Sequence, residues 1–169
     1  MGGGPARGRR GRGRLSRPGP FAIAIVAVGK LPADGPEARL VAGYLRRLPW
    51  PVRVVEVRES ADRPDRRRRE GEALLAAIPD GATVVALDSG GTMPSSPSFA
   101  QRLALWRDRA RELAFVIGGA DGLDPAVLER ADARLSLGPM TWPHALARVL
   151  VAEQLWRGAS LLAGHPYHR

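Results

Sequence analysis

The sequence predicts an α/β fold in which a mostly parallel sheet is sandwiched by helices. Three observations point to it: short apolar runs occur five times, stretches of helical periodicity separate them, and turn residues mark the junctions. The first run, residues 21–28, alternates β-branched and small apolar side chains and reads as a buried strand. Residues 36–48 follow as a helix with Leu40, Val41, Tyr44, Leu45 and Leu48 on one face. A second strand over 52–57 leads into a helix from about 67 to 78, which stops at Pro79-Asp80-Gly81. The third strand covers 83–87, and the next helix, 97–113, stacks Phe99, Leu103, Trp106 and Leu113. Residues 114–117 form the fourth strand. Asp124 caps a short helix with Pro125 in its first turn. Residues 134–137 are the fifth strand, and Pro143 opens the last and longest helix, which runs to about 162. On that helix Leu146, Val149 and Leu150 read as core or interface, with Arg148, Glu153 and Arg157 as polar interruptions. Trp50, Trp142 and Trp156 read as packing residues.

The chain has 169 residues, 44% of them apolar and 25% charged, enough for one domain with a sizeable core. It contains no cysteine, which excludes disulfide scaffolds, thiolate zinc sites, iron–sulfur clusters and cysteine nucleophiles. The 26 basic residues against 17 acidic ones give a net charge of +9, which suits a polyanionic partner. Six of those arginines (Arg7, Arg9, Arg10, Arg12, Arg14 and Arg17) lie within residues 1–20, beside seven glycines and no acid. This extension is too polar and too uniformly charged to order itself, so residues 1–20 are expected to be a disordered basic arm and residues 21–169 a single domain. A basic start followed by an apolar run resembles an export signal, but the run is eight residues long, meets Lys30 at once and lacks a cleavage site. No segment approaches the ~18 apolar residues of a membrane span.

In open α/β sheets ligands bind outside the carboxyl ends of the strands, so the loops after the strands carry the functional information. Three are unusually rich in small residues: Leu87 to Gly91 with the serines and prolines that follow, Ile117 to Gly122, and Leu137 to Trp142. Glycine lets a backbone approach a ligand closely, so the three together outline a floor of main-chain donors and acceptors. Residues 118–122 match neither the dinucleotide fingerprint nor the phosphate loop. Ser89 lacks the Gly-x-Ser-x-Gly elbow of a hydrolase. The histidines His144, His165 and His168 are all late in the chain, and Pro166 between two of them argues against a helical metal-ligand pair, so no metal is expected. Arg66 to Arg69 read as a solvated helix face. The closing His165-Pro166-Tyr167-His168-Arg169 packs two imidazoles, a phenol and a guanidinium into five residues, groups that suit a nucleobase and its phosphate.

With these residues assembled, the sequence closely resembles the bacterial RlmH family, formerly called YbeA-like, of SPOUT-class methyltransferases. The matching strings are Ala27-Val28-Gly29-Lys30, Tyr44-Leu45-Arg46-Arg47, Glu70-Gly71-Glu72, Leu87-Asp88, Ile117-Gly118-Gly119 through Gly122-Leu123, Met140-Thr141-Trp142-Pro143-His144, the stretch Arg148 to Leu155, and His165 to Arg169. They occur in the family's order from Phe21 to Arg169. The resemblance implies a trefoil knot at the carboxyl end of the sheet, a homodimer, and S-adenosyl-L-methionine as methyl donor. It implies a substrate too: N3 of a pseudouridine in the 23S rRNA of the assembled ribosome, in the cytoplasm and without a membrane. The cofactor contacts it implies are Leu87, Gly118, Leu137, Gly138, Pro139, Met140, Thr141 and Trp142. His168, Tyr167, Arg169 and Arg148 are the implied base and substrate-clamping candidates, with His144 and Glu153 in supporting places. Two departures stand out: Thr92 occupies a position that is often basic in the family, and the basic arm has no family counterpart.

Overall fold

The computed structural model describes residues 20–61 and 64–165. Five strands and five helices alternate: β1 (Ala22–Val28), α1 (Pro36–Leu45), β2 (Val52–Val57), α2 (Arg66–Ala77), β3 (Thr83–Thr92), α3 (Ser96–Arg109), β4 (Glu112–Ile117), α4 (Pro125–Arg130), β5 (Ala133–Leu135) and α5 (His144–Leu162). The strands form one sheet in the order β2-β1-β4-β3-β5, and every pairing is parallel. All five carboxyl ends therefore open on the same edge.

Side-chain alternation along the central strands divides the interior into two layers. Ile23, Ile25, Ala27, Phe115 and Ile117 pack with Phe99 and Leu103 of α3 and with Ala147, Val151 and Leu155 of α5. Ala24, Val26, Val28, Ala114 and Val116 face the other way, onto Leu74 of α2 and Val127 of α4. A period of two along each strand is what a sheet covered on both faces demands. The helix starts follow ordinary capping chemistry. Asp124 accepts from the backbone N–H of Ala126 at 2.9 Å and the Ser95 hydroxyl from that of Ser98 at 3.3 Å. Among the described residues no helix is long and apolar enough to cross a membrane.

Five sequence expectations need correction. β2 is an edge strand, not a buried one, and Val54 is 38% exposed on it. Leu113 belongs to β4: α3 ends at Arg109, Ala110 turns extended, and Leu113 pairs with Ile23 and Thr83. Leu40 of α1 points outward, and that helix stops at Leu45. On α5 the buried row is Ala147, Arg148, Val151, Ala152 and Leu155, while Leu146 is left exposed.

β3 also runs past its expected end. Beyond a register shift it continues to Thr92, which pairs with Leu135 and accepts a hydrogen bond from the Ser136 N–H at 2.9 Å. This extension crosses β5 closely. A Cβ on Gly91 would lie 2.7–2.8 Å from backbone atoms of Arg134 and Leu135, so only glycine passes there.

Candidate active site

A cleft of about 260 Å³ lies at the carboxyl edge of the sheet. The ends of β3, β4 and β5 and the first turn of α5 build it, each contributing what its sequence makes available. β3 supplies Leu87, Asp88 and Ser89, and β4 ends in Ile117 before the glycine turn. The chain after β5 wraps the rim from Leu137 to Trp142, and α5 begins beneath it with His144 and Ala147. All eight residues expected to contact the cofactor line this one cleft: Leu87, Gly118, Leu137, Gly138, Pro139, Met140, Thr141 and Trp142.

Two turns give the wall its shape. After β4 the chain reverses tightly, with the Gly122 N–H donating to the Gly119 carbonyl at 3.1 Å and Gly122 at a φ of +75°. A Cβ on Gly118 would sit 2.8 Å from the Gly122 backbone, so the turn closes only because Gly118 has no side chain. α2 backs this turn: Arg67 Nε donates to the Leu123 carbonyl at 2.8 Å, and a Cβ on Gly71 would overlap Asp124. The second turn passes through Gly138 at a φ of +122°, held by reciprocal hydrogen bonds between Gly138 and the Ser136 hydroxyl at 3.1 and 3.2 Å. Past it, the main chain of Met140, Thr141 and Trp142 makes no backbone hydrogen bond among the described residues. Donors and acceptors are thus held ready at the rim, beside the aliphatic walls of Leu87, Ile117 and Leu137.

Residues 21–168 match a family described as "Predicted SPOUT methyltransferase". The chain belongs to the SPOUT methyltransferase family. Relatives agree along nearly their whole length. The Ribosomal RNA large subunit methyltransferase H of Roseobacter denitrificans is 55% identical over 156 residues, covering 87% of this chain and 98% of that protein. The protein of the same name from Paramagnetospirillum magneticum is 54% identical over 150 residues, again covering 87% and 98%. A solved structure of a probable methylase family protein from Haemophilus influenzae shares the fold. It has a TM-score of 0.51 at 16% identity, over 84% of this chain and 66% of that one.

SPOUT methyltransferases use S-adenosylmethionine, and the cleft fits it. A nucleoside needs an apolar slot edged by main-chain donors and acceptors, which the rim provides. The cationic end needs acidic surroundings, and Asp88 stands on the wall. Among the described residues no cluster of three or more His, Asp or Glu is placed to hold a metal ion.

The base and clamp candidates of this SPOUT methyltransferase divide. Tyr167, His168 and Arg169 lie outside the described residues. Arg148, expected to clamp substrate, is 1% exposed and does not line the cleft. Its Nη1 donates to Glu56 at 2.8 Å, and its Nη2 to the carbonyls of Val28 and Gly29 at 2.5 and 2.6 Å. Burial pulls its pKa down, while the charge and hydrogen bond of Glu56 oppose that pull. The guanidinium ties the end of β1 to α5, directly below His144, whose Nε2 would lie 3.2 Å from a Cβ on Gly29. Arg148 is therefore a buried tie between α5, Glu56 of β2 and the end of β1. Replacing it by Met removes this donor from two carbonyls and leaves Glu56, part-exposed, with the Leu31 N–H at 2.8 Å, so Arg148→Met should lower unfolding free energy by about 1–3 kcal/mol in a urea titration.

Glu153 is bound by Arg157 at 2.5 and 2.9 Å and by Gln154 at 2.7 Å, well along α5 from the cleft. At Thr92 the missing basic side chain is replaced in space, because Arg102 Nη1 donates to the Thr92 hydroxyl at 2.8 Å. The arginines of α2 are not all solvated: Arg66 Nε donates to the Ser60 carbonyl at 2.9 Å and Arg67 serves the glycine turn. A second cavity, of about 290 Å³, lies against the same rim and shares Leu135, Ser136, Leu137, Gly138 and Trp142 with the cleft.

Sequence reasoning passed over Ser136 and Ala147 as cleft residues. Ser136 was legible, since it precedes the glycine of a turn and can bond it locally. Ala147 lacks any chemical signal.

Proposed function

We propose that this chain methylates N3 of a pseudouridine in 23S rRNA on the assembled ribosome, in the cytoplasm, with S-adenosylmethionine as donor and as a homodimer. The observation that carries the reading is the convergence of Leu87, Gly118 and residues 137–142 on one cleft in a SPOUT chain. The names of the relatives, Ribosomal RNA large subunit methyltransferase H, support the substrate.

Leu87, Ile117 and Leu137 would hold the adenine face, with the main chain of 140–142 at its edge, and Asp88 would favour the cationic portion. Bound there, the donor supplies an electrophilic methyl group, so the protein's tasks are alignment and deprotonation. A uracil-type imide loses its N3 proton well above neutral pH, which requires a base at N3 or a cation beside the anion that forms. His168 or Tyr167 would take the proton, and Arg169 would hold the charge or the neighbouring phosphate.

The length of α5 supports a site shared by two copies. Its first turn lines the cleft, and its 19 residues carry the chain about 28 Å away before His165. His168 lies outside the described residues, and the three residues that separate it from His165 span at most about 11 Å, less than the length of α5. Exposed Met93, Met140, Trp142 and Leu146 near the rim provide apolar surface for a partner copy. The close crossing of β3 over β5 at Gly91 fits a knotted path at this edge.

Labelled methyl transfer to unmodified ribosomes, isolated large subunits and naked rRNA, with mass mapping of the product, tests the assignment. Label confined to a pseudouridine of the ribosome is the expected result; label elsewhere would overturn the target. Deleting residues 1–20 should leave transfer intact, and the salt slope of ribosome binding should become shallower.

A further inference from the structure

Glu70 is a buried carboxylate that the mechanism above does not use. It sits in the first half of α2 with 2% exposure. Oε1 accepts the Ser60 N–H at 3.0 Å, and Oε2 has no hydrogen-bond partner among the described residues. That free oxygen is pressed against the glycine turn of the cleft: a Cβ on Gly119 would lie 2.7 Å from it. Gly119 itself lines the cleft. Two arginines of the same helix direct their described hydrogen bonds to other acceptors, Arg66 to the Ser60 carbonyl and Arg67 to the Leu123 carbonyl. No described ion pair within 4 Å includes Glu70.

A carboxylate held out of water with one oxygen unsatisfied is costly to keep, and its field is poorly screened. Here it lies one backbone thickness from the cleft wall, on which Asp88 is a second acid and His144 the one residue able to carry a positive charge. We propose that Glu70 is a specificity-determining residue: its buried carboxyl group, with one oxygen unbonded behind Gly119, makes the cleft prefer a cationic sulfonium donor to the neutral thioether left after transfer. The inference rests on the methyl-donor reading above. It identifies what distinguishes the two ligands, since S-adenosylmethionine and S-adenosylhomocysteine share every group except the charged methylsulfonium. A cleft biased in this way would release spent product readily.

Calorimetric titration of the full chain with both nucleosides tests it. The ratio of the two affinities should favour S-adenosylmethionine in the unaltered chain and fall several-fold in Glu70→Gln. It should be retained in Glu70→Asp, even where both affinities weaken. A Glu70→Gln chain that loses both ligands in equal proportion would make Glu70 structural only and overturn the proposal. Without any variant, the amine-bearing analogue sinefungin should bind the unaltered chain more tightly than S-adenosylhomocysteine, and equal affinities would overturn it as well. Failure of the unaltered chain to bind any of the three would overturn the methyl-donor reading itself.

Discussion

A chain ending at His165 is expected to bind S-adenosylmethionine as the full chain does and to transfer no detectable methyl group. Every described lining group of the cleft lies between Leu87 and Ala147, all of which this chain keeps. The groups removed are Tyr167, His168 and Arg169, the candidates for taking the N3 proton and holding the anion. General acid–base assistance is worth about 10²–10⁴ in rate, and loss of the substrate clamp adds to it. Keeping His165 matters for the comparison. Its N–H donates to the Ser160 carbonyl at 2.8 Å and its ring lies 6.5 Å from that of Trp156, so a cut before it would also disturb the end of α5. Single-turnover transfer and equilibrium binding, measured side by side, check the result; parallel loss of both would show that the tail is structural.

Gly118→Val should produce the opposite phenotype, with donor binding weakened about a hundredfold or more while the tail stays intact. The added Cβ meets the carbonyl carbon and oxygen of Gly122 at 2.8 Å and the nitrogen of Leu123 at 3.0 Å, all backbone atoms with no rotamer to yield. Overpacking of this kind costs about 1–3 kcal/mol, and here the displaced atoms are the cleft wall. The two variants then test the shared site together. If tail and cleft come from different copies, mixing the truncated chain with Gly118→Val should restore a fraction of the transfer rate that neither shows alone. Absence of any recovery from co-refolded mixtures would confine each site to one protomer.

The alternation of strands and helices was legible because each element carries its own period, and the small-residue loops at the strand ends mark the cleft in the sequence itself. What escaped were features set by contacts distant in sequence. Ser89, Gly90 and Gly91 have the composition of a loop, yet they continue β3, because the chain of Arg134 and Leu135 passes where a side chain would be. The glycine was rightly noticed as permitting close approach; what approaches is another strand. Arg148 read as a polar interruption of an apolar helix, and its acceptors at Val28, Gly29 and Glu56 lie 92 to 120 residues away. Leu113 continued a helical stripe by spacing alone, and the extended turn at Ala110 moved it into the sheet. Glu70 entered the sequence reading within the Glu70-Gly71-Glu72 string, and it is the packing of α2 against Gly119 that shows it to be buried.

The 19-residue rod of α5 imposes a rule on how this protein can vary. Adding or deleting one residue within it would shift everything beyond by 1.5 Å and turn it by about 100°. The docking of Gly158 against Phe99 and Leu103 and the heading of the closing segment would both lose phase with the cleft end. Length changes should therefore be tolerated in the surface connections and excluded between His144 and Leu162, so this helix acts as a ruler whose number of residues is as constrained as their identity.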